Sequence, residues 1–125
     1  TTHKACSLLD VRFLIVQHEL YIKRLELAIQ KQKPFDHKEC GRHGIENACP
    51  FGKKLYSEII PCLDHLEPHI RDLILQIEEI HCQFHEKAKE VDPTNPDYTA
   101  LNQAKEISLR LYQKLMSLER TTKTK

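Results

Sequence analysis

The sequence predicts an all-α fold, and three observations carry that prediction. Only three of the 125 residues are glycine. Charged residues (30%) and apolar residues (40%) are mixed along the chain rather than segregated. Apolar positions recur at spacings of three and four over three long stretches, the period of a helix with one buried face. A chain of this length can enclose one domain with a small core.

The first helix is expected from about Ala5 to Lys31, with an apolar stripe of Leu8, Val11, Leu14, Ile15, His18, Ile22, Leu25 and Ile29. His18 is near the centre of that stripe: at about 100° per residue, Val11, Leu25 and Ile29 all fall within about 20° of it. Tyr21 follows at the edge of the same face. Pro34 ends this helix or its tail. Residues 35–48 contain Gly41, Gly44, Asn47 and many charges, the composition of a connector. A short helix is expected next, over Cys49-Pro50-Phe51-Gly52-Lys53-Lys54-Leu55-Tyr56-Ser57-Glu58-Ile59-Ile60. Proline suits a first helical turn, which puts Cys49 at the helix N-terminus, where the positive end of the macrodipole lowers a thiol's pKa.

Pro61 is expected to separate this short helix from a long one running from Leu63 to Val91. The stripe of the long helix is Leu63, Leu66, Ile70, Leu73, Ile74, Ile77, Phe84 and Ala88. The turn Asp92-Pro93-Thr94-Asn95-Pro96-Asp97 closes it. The last helix is expected over Asp97–Arg120, where Leu101, Ala104, Ser108, Leu111, Leu115 and Leu118 form a heptad-like seam. Core packing is the simplest role for that seam; a dimer contact or the start of a coiled coil are the others.

His81 and His85, one turn apart on the long helix, can chelate one ion. Ile70, Ile74, Ile77 and Ala88 fall within about 40° of His81, and His85 about 40° to its other side, so both belong to or border the buried face. Burying two histidines costs free energy unless they are hydrogen-bonded or ligated. His18 points into the same core, and Cys49 is a candidate thiolate. Three imidazoles and one thiolate, at successive spacings of 31, 32 and 4 residues, make a tetrahedral donor set suited to Zn2+.

Other sets compete. His65 and His69 are a second i, i+4 pair, about 160° and 120° from His81 and hence on the charged side. His37, Cys40 and His43, with Cys49, offer a loop site, although Cys40-x-x-His43 lacks a second tight pair. A di-iron carboxylate bundle needs Glu-x-x-His on two helices; Glu78-Glu79-Ile80-His81 supplies one. The five cysteines, at 6, 40, 49, 62 and 82, are odd in number and scattered. That is not the pattern of a secreted disulfide framework, and it points to a reducing cytoplasm; Cys6, Cys62 and Cys82 are expected to be small packing residues. The net charge of +1 gives no electrostatic case for nucleic acid. No apolar run approaches the ~18 residues of a membrane span, and no secretory signal pattern opens the chain.

Three motifs in order, His18-Glu19-Leu20-Tyr21, Cys49-Pro50-Phe51-Gly52-Lys53 and Glu79-Ile80-His81-Cys82-Gln83-Phe84-His85, make the sequence resemble the chemoreceptor zinc-binding (CZB) domains of bacteria. Two positions depart from that pattern: Tyr21 and Lys54 stand where tryptophan is common. The resemblance implies an antiparallel four-helix bundle with an additional short helix carrying the Cys ligand. It implies zinc held by His18, Cys49, His81 and His85, and a homodimer; Glu19, Glu78 or Glu79 is expected to supply a supporting carboxylate. It also implies a single domain over 1–125, excised from a larger signalling protein, without enzymatic activity. Such a domain modulates an attached diguanylate cyclase or chemoreceptor in response to zinc or to oxidation of the zinc-bound thiolate, and contacts neither nucleic acid nor membrane. The alternatives are a structural zinc-stabilised dimerisation module and a metal-free helical interaction module.

Overall fold

Four α-helices occur in the order α1 (Val11–Lys31), α2 (Pro50–Lys54), α3 (Pro68–Ala88) and α4 (Tyr98–Lys123). They were obtained from a computed structural model that describes residues 11–35, 37–42, 44, 46–95 and 98–123, with backbone only at 122 and 123. The expected starts at Ala5 and Asp97, and the roles expected for Cys6, Leu8 and His43, lie outside the described residues. The described residues contain no strand; Glu39 and Ala48 make one isolated parallel bridge. No described helix is long and apolar enough to cross a membrane.

α1 buries Val11, Leu14, His18, Tyr21, Leu25 and Ile29; Ile15 and Ile22 of the expected stripe are only half-buried, and Tyr21, expected at its edge, is buried. It ends on Gln32, whose φ of 54° is left-handed. Lys33 N–H then reaches back to Ala28 O at 3.0 Å and Gln32 N–H to Ile29 O at 3.1 Å, which satisfies the last carbonyls in a Schellman arrangement. α3 and α4 are joined by the turn at Asp92, where Thr94 N–H donates to Asp92 Oδ1 at 3.0 Å, and they pack along each other. All six expected seam residues of α4, from Leu101 to Leu118, are buried. α1 packs on both α4 and α2. Phe51, Phe84, Leu55, Ile77 and Leu111 are among the fully buried side chains where these helices meet.

α3 ends at Ala88 rather than Val91 and α4 runs on to Lys123 rather than Arg120; two larger departures from expectation arise at prolines. The helical path that starts at Pro50 does not stop at Pro61. It widens into a π-turn over Leu55–Ile59 and tightens into a 3-10 segment over Ile60–His65. Pro61 has no N–H to offer Ser57 O, and the changed winding around it absorbs that loss. α3 begins at Pro68, not at Leu63. Glu67 precedes a proline and takes the extended conformation (φ −60°, ψ 147°), so Pro68 becomes the first helical residue. As a result His65 and His69 are not one turn apart on one helix. The break at Leu66 and Glu67 separates them, and both are exposed.

Candidate metal centre

Cys49 caps α2. Its backbone is extended (φ −68°, ψ 162°), Pro50 opens the helix, and Gly52 N–H donates to Cys49 Sγ at 3.4 Å. The cap aims the sulfur at the adjacent face of α3, where it meets His81 Nε2 and His85 Nε2, each at 3.3 Å. The two Nε2 atoms are 3.1 Å apart. A tetrahedral zinc with Zn–N of about 2.05 Å and Zn–S of about 2.3 Å spaces its nitrogens about 3.3 Å apart and sulfur from nitrogen about 3.5 Å. The three atoms therefore lie close to the edges of such a tetrahedron, and the donor set fits a metal. Cys49, His81 and His85 are all buried, with their donor atoms within 4.8 Å of one another.

Aromatic rings fix the histidines. Phe51 stacks on His81, with centroids 4.1 Å apart and ring planes 16° from parallel. Tyr21 meets His85 edge-on at 4.8 Å, and its hydroxyl accepts from Lys38 N–H at 3.0 Å. Phe84 stands against His18 at 4.7 Å.

His18, the remaining residue of the expected set, lies outside the three-atom group. Its Nε2 pairs with Ser108 Oγ on α4 at 2.7 Å, fully inside the core. It is nevertheless a neighbour of the group: its charged form would repel those of His81 and His85. Burial first, and this repulsion second, push His18 down to about 3 and His81 well below the ordinary histidine value. Burial alone dominates at His85, which falls to about 4. At neutral pH all three are neutral, the form in which imidazole offers a lone pair to a metal.

The thiol behaves otherwise than its helix-terminal position suggests. Burial pushes Cys49 up to about 11, and the backbone N–H groups of Gly52 and Phe51 only partly offset it. At this buried position desolvation outweighs the pull of the helix N-terminus on the thiol. The thiolate of a metal-bound Cys49 thus depends on the cation.

The supporting carboxylates expected on α1 and α3 are also elsewhere. Glu78 Oε2 accepts from Tyr56 O–H at 2.6 Å and from Arg42 Nε at 2.9 Å, while Glu79 Oε1 accepts from Arg42 Nη2 at 2.9 Å. Glu19 is exposed. The Nδ1 atom of His81 is buried without a hydrogen-bond partner, while the His85 ring has the Lys38 backbone beside it.

The cysteines hold a further correction. Cys40 and Cys82, the latter expected to be a packing residue, form a disulfide, with Cα atoms 5.0 Å apart. Cys62 is also disulfide-bonded rather than a packing thiol. Among the described residues the free cysteine is Cys49. The bond removes Cys40 from the competing loop site, and His37 Nε2 is engaged by Val91 O at 2.9 Å. Nothing in a spacing of 42 residues signals that pairing, nor does local pattern link His18 to Ser108, although Ser108 is the one polar residue in an otherwise apolar seam.

The profile of the chemoreceptor zinc-binding (CZB) domain family matches residues 18–91, more than half of the chain and the span from His18 through His85. No curated protein and no solved structure matches.

Proposed function

The chain belongs to the chemoreceptor zinc-binding domain family, and on that premise we propose that it is a regulatory zinc sensor whose donors are His18, Cys49, His81 and His85. The observation that carries the reading is the convergence of Cys49 Sγ, His81 Nε2 and His85 Nε2 at 3.1–3.3 Å inside the core. Zinc, when bound, supplies a charge that holds Cys49 as thiolate and ties α1, α2 and α3 together. His18 joins the donors by leaving Ser108, so filling the site frees a buried hydroxyl on α4. That exchange links the metal to α4. Four protein donors leave no open position for water or substrate, which favours regulation over catalysis.

In this reading the chain is one domain of a larger signalling protein, homodimeric, and its output is an attached diguanylate cyclase or chemoreceptor. The input is zinc itself or an oxidant acting on the zinc-bound Cys49 sulfur.

Elemental analysis after dialysis against a mild chelator tests the ligand set. About one zinc per chain in the wild type, and clearly less in Cys49→Ala, supports it. Equal zinc in both refutes the role of Cys49, and no metal in either leaves a metal-free helical interaction module.

A further inference from the structure

The Cys40–Cys82 bond lies against the donor group without belonging to it. Cys82 follows His81 on α3 and precedes His85 by three residues. Cys40 is one residue beyond Glu39, whose carbonyl accepts from the Cys49 backbone N–H at 3.1 Å; Glu39 N–H in turn donates to Asn47 O at 2.9 Å. Cys40 O also presses on Gly52 in the first turn of α2, so closely that a Cβ there would collide with it. A short path therefore runs from the histidine helix, through the disulfide and the Glu39 carbonyl, to the backbone of the thiol donor.

Other links between this loop and α3 include a backbone hydrogen bond between Lys38 and His85 and ion pairs at or near the surface, Lys89–Glu39, Arg42–Glu78 and Arg42–Glu79. Such pairs contribute little and are screened by salt. The disulfide is the covalent link, and it is reachable. A cleft of about 120 Å³ is lined by Glu39, Cys40, Arg42, Cys82, His85 and Lys89, among others. Cys40 is half-buried where Cys82 is buried.

We propose that Cys40–Cys82 is a thiol–disulfide exchange site, and that its oxidation state sets how tightly the neighbouring donor group holds zinc. The co-reactant is a low-molecular-weight thiol. Its thiolate attacks Cys40 Sγ from the cleft, the S–S bond breaks, and Cys82 leaves as thiolate and takes a proton. A second thiol attacks the mixed disulfide. The products are two cysteine thiols and one small-molecule disulfide, so the two electrons gained by the protein are those lost by the two thiols. The closed form pre-positions Cys49 over His81 and His85. The open form frees residues 39–42 from α3 and leaves Cys49 to be ordered at the moment of binding, which weakens affinity.

This inference rests on the metal-site reading above, and the test separates the two. Non-reducing peptide mapping of the chain reports whether Cys40 and Cys82 are joined. Zinc affinity is then measured by competition with a chromogenic chelator in three samples: oxidised wild type, wild type reduced with a phosphine, and oxidised Cys40→Ser. The expected result is a joined peptide pair and about a tenfold loss of affinity on reduction, the low end of what losing support around a metal ligand costs. Cys40→Ser should show the same loss without reductant, which excludes an effect of reducing Cys62. Affinities equal within about twofold in joined and opened wild type, or no joined pair under oxidising conditions, would overturn the proposal and leave the metal site standing. Absence of zinc from every sample would overturn the metal-site reading and the coupling with it. The reduced wild type decides the matter should Cys40→Ser fail to fold.

Discussion

Cys49 and Cys82 are equally buried, each about 3% exposed, and both border His81. Their chemistry differs completely. Cys49 is a free thiol whose sulfur is 3.3 Å from two imidazole nitrogens. Cys82 turns away from those nitrogens and is bonded to Cys40. The cause is angular. Residue 82 is about 100° around α3 from residue 81, so its side chain meets the loop at residue 40 rather than the core between α2 and α3. Burial alone does not identify a ligand; the direction in which the helix aims the atom does.

Removing each sulfur in turn separates their roles most clearly. Cys49→Ala should weaken zinc binding by more than about 100-fold, beyond the range typical of losing a residue that merely supports a ligand. Cys82→Ala should cost only about tenfold, because all four proposed donors remain. Equal losses in the two variants, by chelator competition, would show that the distinction is wrong.

Acid acts on one region and not the other, because imidazoles titrate and a disulfide does not. His18, His81 and His85 are held below the ordinary value of 6.5 in the folded chain. Their neutral forms therefore contribute stability that is intact above 6.5. It is lost as the pH falls toward folded values of about 3 for His18 and about 4 for His85. Each contributes up to about 1.4 kcal/mol per pH unit in that window. Urea midpoints of the metal-free protein should drop steadily from pH 7 to pH 5; a flat profile would mean that these side chains are solvated.

A smaller effect is expected where the two sulfurs' surroundings touch. Gly52→Ala inserts a Cβ against Cys40 O and should destabilise the chain by about 1–3 kcal/mol, read as a lower urea midpoint. It should weaken zinc binding too, since Gly52 N–H faces Cys49 Sγ. Smallest of all is Ser108→Ala. It removes the partner of His18, costing the metal-free protein about 1 kcal/mol. If His18 must leave Ser108 to bind zinc, the same change strengthens zinc binding by about fivefold. A loss of affinity instead would mean that Ser108 supports His18 as a ligand.

Much of this molecule was legible beforehand. The buried faces of α1, α3 and α4 follow from spacing, and Pro50 after Cys49 announces a helix start with the cysteine as cap. His81 and His85 share a face because of a four-residue interval. The boundaries that failed, at Pro61 and Pro68, turn on how a proline is absorbed, which depends on whether the chain can rewind around it. The pKa of Cys49 went the other way because the site is dry.

What the sequence determined by itself is everything with a local period or a local steric rule: the helices, their apolar faces, the capped cysteine and the paired histidines. Which distant groups meet is a matter of packing. Cys82 finds Cys40 across 42 residues, His18 finds Ser108 across 90 residues, and Arg42 draws Glu78 and Glu79 away from the histidines. These meetings depend on the rotation of each helix about its own axis and on the path of one connector. Those are set by the packing of the whole core, and no short stretch of sequence encodes them.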